Sequence, residues 1–392
     1  MRKVHAETLL ALPDIEQPQT LFRHASVAQR RLPNAACLDW RKFPSTRYQG
    51  SKRKILPWIW SHLRDVDFSS ALDVFGGSAS VSYLLKRMGK EVTYNDHLRF
   101  NYLIGLALIE NDGVMLDDKD IRFALGTPEP ESARYFVQGT FQGVYFTDAE
   151  NEWIDRVVSR ITKIDGEPAK VTYTKALLYY ALFQSCIIKR PYNLFHRRNL
   201  YFRFADVKRT FCNKGTWDMP FTDHFLNFCA GANRAVFKGL KPCRSICYDA
   251  ADIPGNNYDL VYIDPPYLRK THNESCNYLR CYHFLEGLSQ YDEWSDFIDY
   301  ESLNLRFKQA DQNAWIDRDE QVDAFDALLE KFAKSIVVVS YKKFGFPSVD
   351  TLMRMFKRHG RKVRSHSQHY VYALNHQNGQ AKLNREVLFI SE

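Results

Sequence analysis

Hydrophobic positions first order themselves at Ala71-Leu72-Asp73-Val74-Phe75, a short apolar run of strand character. It ends in the small-residue turn Gly76-Gly77-Ser78-Ala79-Ser80. Val81, Leu84, Leu85 and Met88 then recur at helical spacing, and Gly89 stops the helix. Glu91 to Asn95 reads as a second strand, closed by Asp96. Strand, turn, helix and strand in that order open a doubly wound sheet. The rhythm breaks from Asn101 to about Leu240, where helical stretches such as Trp153 to Ile164 and Lys175 to Ile188 are separated by polar and aromatic loops. Strand patterns return at Ser245 to Asp249, Asp259 to Ile263 and Ser335 to Ser340, and the alternating segments His369 to Leu374 and Glu386 to Ile390 are expected as antiparallel edge strands. The pattern predicts an α/β fold interrupted by a mainly helical insert too long for a loop. Its expected division is an arm over residues 1–40, a sheet domain over 41–110 and 241–392, and an insert over 111–240.

Composition narrows the class. At 392 residues, with 45% hydrophobic and 26% charged residues, the chain is globular and neither disordered nor collagen-like. A net charge of +8 permits a polyanionic partner without requiring one. The eight cysteines match no disulfide framework, and Cys243-x3-Cys247 followed by Cys276-x4-Cys281 misses the usual zinc-knuckle spacing, so no metal site is expected. The longest apolar stretch, Ala176 to Ile188, suits a buried helix and is too short to span a bilayer. No membrane association and a cytoplasmic location are expected.

Three segments carry candidate chemistry. In Asp259-Leu260-Val261-Tyr262-Ile263-Asp264-Pro265-Pro266-Tyr267 a buried strand delivers a carboxylate, two prolines and an aromatic ring to its C-terminal end, where open α/β sheets bind ligands. A carboxylate beside a carbonyl fixed by proline can accept both hydrogens of an amino group, while a Tyr ring stacks on a planar base. The plain alternative is a strand end capped by an Asp-Pro turn. In Asp73-x-Phe75-x-Gly77-Ser78 small residues let a ligand approach the backbone, although the G-x-G-x-x-G spacing of dinucleotide sites is absent. Asp96 stands where a carboxylate accepts hydrogen bonds from a ribose, and equally where one caps a helix. Upstream, Tyr48-Gln49-Gly50-Ser51-Lys52 is a Gly-Ser turn opening a helix, either an anion-binding turn or a solvated basic start.

Taken in order, Tyr48 to Lys52, Phe75 to Ala79, Asn95-Asp96 and Asp264 to Tyr267 resemble the motifs of the Dam-type (alpha-class) adenine-specific DNA methyltransferases, over roughly residues 45 to 391. The departure is Ala79, where that family often has Gly. The resemblance implies a Rossmann-like sheet and transfer of a methyl group from S-adenosylmethionine to the N6 amine of a flipped-out adenine in double-stranded DNA. By it, Asp264, Pro265, Pro266 and Tyr267 are catalytic. Tyr48, Lys52, Asp73, Phe75, Gly77, Ser78, Asp96 and Asp249 line the cofactor site. A monomer is expected, acting either beside a separate restriction endonuclease of the same site or alone, as a regulator or a phage-borne enzyme. Accepting both amine hydrogens favours a pyramidal nitrogen aimed at the methyl group, so positioning carries the reaction.

The insert suggests the DNA contact. Lys189, Arg190, Arg197, Arg198, Arg203, Lys208 and Arg209 crowd a short stretch, interleaved with Tyr192, Phe195, Tyr201, Phe202 and Phe204. Basic residues neutralise phosphates and Arg reads guanine edges, whereas the plain reading is a solvated charged face. The aromatic segment Tyr278 to Trp294 is expected either to close over an extruded base or to pack as core. Methylation of the cytosine amine, methylation of RNA, and a catalytically silent DNA-binding relative are the competing functions.

Overall fold

The computed structural model describes residues 42–44, 46–127, 129, 134–205, 214–268, 277–308, 313–370 and 384–391. The expected arm over residues 1–40 and the basic residues Lys208 and Arg209 lie outside the described residues. Seven strands form one sheet: β1 (Ser70–Asp73), β2 (Glu91–Asn95), β3 (Arg244–Ile246), β4 (Leu260–Ile263), β5 (Ile336–Lys342), β6 (Val363–His369) and β7 (Arg385–Ser391). Their spatial order is β3-β2-β1-β4-β5-β7-β6. Strands β1 to β5 pair in parallel, and β7 runs antiparallel between β5 and β6. This is the Rossmann-like α/β architecture that the strand–helix rhythm predicts.

Helices α1 (Leu56–Leu63), α2 (Ser80–Arg87) and α3 (Arg99–Gly105) accompany the first strands. The described part of 111–240 is helical: α4 (Asp118–Leu125), α5 (Phe136–Thr140), α6 (Asp148–Thr162), α7 (Pro168–Ile188), α8 (Tyr201–Phe204), α9 (Lys214–Asp218) and α10 (Phe221–Ala235). Then follow α11 (Tyr278–Ser289), α12 (Trp294–Phe297), α13 (Gln321–Lys331) and α14 (Val349–Arg358). Local chemistry sets the starts of the long insert helices. At α6 the Thr147 hydroxyl accepts from Glu150 N while the Glu150 carboxylate accepts from Thr147 N, a reciprocal cap. At α7 Glu167 caps and Pro168 supplies a preset φ at the first helical position.

Successive strand residues point to opposite faces, and the core divides accordingly. Ala71, Leu260, Tyr262 and Val338 join one cluster with Leu56, Leu84, Ile104, Leu177, Phe225 and Leu285 from α1, α2, α3, α7, α10 and α11. Leu72, Val261, Ile263 and Val339 join the other, with Phe325, Leu329, Leu352 and Phe356 from α13 and α14. Both faces being covered explains why β4 reads as an unbroken apolar run. The insert helices α7 and α10 share the first cluster, so they are built onto the sheet's own core.

Two strand expectations change. The edge strand is β6 at Val363–His369, which shares only His369 with the expected His369 to Leu374; residues 371–374 lie outside the described residues. It is mostly polar and exposed, and pairing with β7 rather than apolar content defines it. The segment Glu386 to Ile390 does form a strand, but β7 lies inside the sheet with a partner on each side. No helix among the described residues is long and apolar enough to cross a membrane.

Candidate active site

From β1 the chain turns towards β2 and β3, and from β4 it turns the other way to β5, so β1 and β4 flank the switch point of the sheet. The crevice beyond the C-terminal ends of such strands is the usual ligand site. Here it is a cleft that opens to solvent. Three stretches wall it: Tyr48 to Lys52 before α1, Phe75 to Ser78 after β1, and Asp96 to Leu98 after β2. Asp73, Asp264, Pro266 and Tyr278 also line it, with Ser80, Val81 and Tyr262. Nine of the sequence candidates, Tyr48, Lys52, Asp73, Phe75, Gly77, Ser78, Asp96, Asp264 and Pro266, therefore share one cleft.

The turn after β1 is shaped by close approach. A Cβ on Gly76 would fall 2.0 Å from the Tyr94 ring, so only glycine fits. Gly77 sits at φ +48 with the Tyr48 ring across it, where a Cβ would lie 3.2 Å away. The Gly77 N–H donates to Asp96 at 2.9 Å, and the other oxygen of Asp96 accepts from Leu98 N at 2.9 Å. Asp96 thus fastens the turn and the entry to α3 at once. The hydroxyls of Ser78 and Ser51 are bonded at 2.9 Å, tying the turn to the upstream loop. Ala79, fully buried, takes φ +63, a left-handed conformation costing a non-glycine residue about 1–2 kcal/mol.

Asp73 is buried at the end of β1 and accepts from Ser82 Oγ at 2.6 Å. Its second oxygen, Oδ1, has no hydrogen-bond partner among the described residues. Burial pushes this carboxyl up to about 7, against the Ser82 bond and with help from the negative Asp264.

Asp264 belongs to a buried charge network. Lys52 Nζ lies 2.8 Å from Asp264 Oδ1 and 2.6 Å from Oδ2. It is also 3.5 Å from Glu386 Oε1, on β7. The Tyr267 hydroxyl donates towards Asp264 Oδ1 at 2.6 Å and Glu386 Oε1 at 2.8 Å, and its ring lies under the Lys52 ammonium. Burial opposes the charge on Lys52, but Asp264 and Glu386 outweigh it and hold the amine well above the ordinary lysine range. For Asp264, burial and the like charge of Glu386 push upward while Lys52 pulls down, leaving it above the usual carboxylate value.

Several candidates sit elsewhere. Asp249 does not border the cleft; its Oδ1 accepts from Ala251 N in a local turn, because β3 ends at Ile246 and the chain turns away. Tyr267 is turned into the network with Asp264 and Glu386, and its ring packs against Tyr341, so it is not among the cleft-lining side chains. In the aromatic segment Tyr282, His283, Phe284 and Trp294 are buried core, while Tyr278 borders the cleft. Tyr48 stacks on Tyr282 at 4.9 Å between centroids and on Tyr278 at 5.7 Å.

The basic stretch divides. Arg197 and Arg198 are exposed, as are the neighbouring rings of Tyr192, Tyr201 and Phe204. Lys189, Arg190 and Arg203, expected to face DNA, are turned inward. Glu150 binds Arg203 through two contacts of 2.6 and 2.7 Å and Lys189 at 2.7 Å. Burial works against the Glu150 charge, yet these cations hold its carboxyl down at about 2. Arg190, 1% exposed, donates to the carbonyls of Tyr145, Leu194 and Arg197 and to the Asn199 side chain. A cation spent on backbone carbonyls braces the loop and has no donor facing solvent phosphate.

Sequence reasoning missed Glu386 and Glu150. The signal for Glu386 was a lone carboxylate at the entry to an apolar strand. For Glu150 it was the Thr147-x-x-Glu150 cap preceding an apolar helical pattern.

A glycine-floored cleft at the switch point, with Asp-Pro-Pro-Tyr at the end of β4, defines a class of enzyme. Residues 48–299 match the family model of the D12 class N6 adenine-specific DNA methyltransferases, and the chain belongs to that family. It is an adenine-specific DNA methyltransferase. It is similar to the Type II methyltransferase M2.HphI of Haemophilus parahaemolyticus, with 28% identity over 361 residues, covering 90% of this chain and 98% of the relative.

Proposed function

We propose that this enzyme moves the methyl group of S-adenosylmethionine to the exocyclic N6 amine of an adenine flipped out of duplex DNA. The observation that carries this reading is the opening of Asp264 and the Asp73 to Ser78 turn into one cleft. The residues present fit such a cofactor: a glycine turn leaves room for it, and Asp73 Oδ1 is a buried acceptor with no protein donor among the described residues. Asp96 would accept from its ribose with the lone pairs left beside its two backbone bonds, and Tyr48, Lys52, Phe75, Gly77 and Ser78 wall the same space. When bound, S-adenosylmethionine supplies a methyl on a sulfonium, and the C–S bonding pair stays on sulfur.

Asp264 and the Pro265 carbonyl accept the two amine hydrogens, so that the nitrogen lone pair, otherwise delocalised into the ring, points at the methyl carbon. The N–C bond forms and Asp264 takes the proton the nitrogen sheds. The Lys52 ammonium offsets part of the penalty that burial places on the Asp264 charge. Pro266 stiffens the turn and Tyr267 orients Asp264. Extruding a base from the duplex costs a few kcal/mol, which contacts in the cleft must offset. Residues 41–110 and 241–392 form the catalytic part in this reading, and 111–240 the target-recognition part, with Arg197 and Arg198 facing DNA.

Similarity to a Type II methyltransferase supports a role as a modification enzyme beside a restriction endonuclease of the same specificity, and in this reading the enzyme acts as a monomer. The test is expression in a host devoid of DNA methylation, with methylated bases mapped across the genome. N6-methyladenine in one short motif, lost in Asp264→Ala, is expected. Methylcytosine, methylated RNA alone, or undiminished methylation by Asp264→Ala overturns the reading.

A further inference from the structure

Beneath the cleft lies a second carboxylate that the transfer as described leaves without a task. Glu386 is fully buried on β7, paired across the ladder with Lys342 of β5. Its Oε1 accepts from Ser340 Oγ at 2.8 Å and faces both the Tyr267 hydroxyl and the Lys52 ammonium. A buried anion is retained only where cations and donors surround it, and here those donors are shared with Asp264.

The sharing cannot be simultaneous. The Tyr267 hydroxyl carries one hydrogen but lies within bonding distance of Asp264 Oδ1, Glu386 Oε1 and, at 3.4 Å, the Ser340 carbonyl. Lys52 has three hydrogens, and Asp264 takes two of its contacts. In this geometry the oxygens of Asp264 are engaged by Lys52 and Tyr267. To receive an amino group Asp264 must give up part of that hold, and in a buried site the released donors need another acceptor. Glu386 is the acceptor already in reach of both.

The geometry points to Glu386 as a positioning residue for methyl transfer: it takes over the Tyr267 hydrogen bond and shares the Lys52 charge as Asp264 turns an oxygen to the substrate amine. This rests on the reading that Asp264 receives that amine. Lys52 is then the counter-ion of a carboxylate pair, and once the methylated base has left and the proton on Asp264 has passed to solvent, the Tyr267 hydrogen bond returns to Asp264.

The groups facing Asp264 are Lys52 from the upstream loop, Asp73 from β1, Tyr262 from β4, Tyr267, Tyr370 after β6, and Glu386 from β7. Among them Glu386 is the close like charge, so neutralising it eases ionisation of Asp264. Glu386→Gln in the full chain is expected to lower kcat for DNA methylation by up to about 100-fold, with cofactor and DNA affinity within about twofold of wild type. The acid limb of kcat against pH moves to lower pH. Glu386→Asp keeps the charge but retracts it from Tyr267, so kcat falls while the acid limb stays in place. Unchanged kcat in either folded variant overturns the inference. So does a loss in Glu386→Gln with an unshifted limb, or one matched by an equal loss of cofactor affinity. Asp264→Asn measured in parallel separates the two levels. If it stays active, the reading of Asp264 fails; if it is dead while Glu386→Gln is normal, only the role of Glu386 fails.

Discussion

Truncating Glu150 tests whether Lys189 and Arg203 serve the fold or the DNA. The carboxylate is 14% exposed, bonded twice to Arg203, once to Lys189 and once to the Thr147 N–H that starts α6. Its pKa falls from 4.5 to about 2 in the fold, which at 1.36 kcal/mol per unit corresponds to roughly 3 kcal/mol of stability at neutral pH. Because the folded value is depressed, this contribution is complete above about pH 4.5 and drains away as pH falls towards 2. Glu150→Ala removes it and leaves two cations, 3% and 7% exposed, facing each other with only the weaker pull of Asp218 on Lys189 to oppose them. Breaking a buried pair this way costs about 3–5 kcal/mol. The assay is urea unfolding of wild type and variant at pH 7 and pH 3: a loss of that size at pH 7 is expected, with a smaller difference at pH 3. A loss below about 1 kcal/mol at pH 7 refutes the reasoning. So does tighter DNA binding by Glu150→Ala with a steeper salt slope, since that would put the released cations on phosphates.

Other outcomes follow from the same geometry. Replacing both exposed Arg197 and Arg198 with Ala should weaken DNA binding and flatten the slope of log K against log salt by about 1.8, at 0.9 per phosphate lost; an unchanged slope in a salt titration moves the footprint elsewhere. Asp73, whose carboxyl is raised from 3.8 to about 7 by burial, loses stability for the fold as pH rises through that window, reaching roughly 4 kcal/mol at pH 8. Asp73→Asn should therefore melt later than wild type at pH 8, little differently at pH 4, and bind S-adenosylmethionine more weakly; equal cofactor affinity by calorimetry would remove Asp73 from the site.

Much of the catalytic frame was legible because parallel strands and the turns after them are local. β1, β2 and β4 fall where apolar runs place them, and the glycines and carboxylates at their ends follow within a few residues. Asp96 showed two readings in sequence, and its geometry is that of a tie: one carboxylate holds both the Gly77 turn and the start of α3. The long helix α7 was equally plain, its buried run set by apolar content alone.

What sequence could not decide was direction and partnership. A basic stretch has one appearance whether its cations meet phosphates or an internal carboxylate, and Lys189 and Arg203 turned inward because Glu150, 39 positions before Lys189, was buried beside them and needed compensation. Tyr267 faces Asp264 and Glu386 rather than the cleft, since a strand 119 residues further on brings that second carboxylate under it. Asp249, near in sequence to a strand end, misses the cleft because β3 is one strand too far from the switch point. The sequence by itself determined β1, β2, β4 and β5, the glycine turn and the Asp-Pro-Pro-Tyr strand end, since period, φ and short-range order are properties of neighbouring residues. Which buried charges meet was left to the tertiary structure, because burial penalises every unpaired ion and only the packed fold determines which partner is within reach.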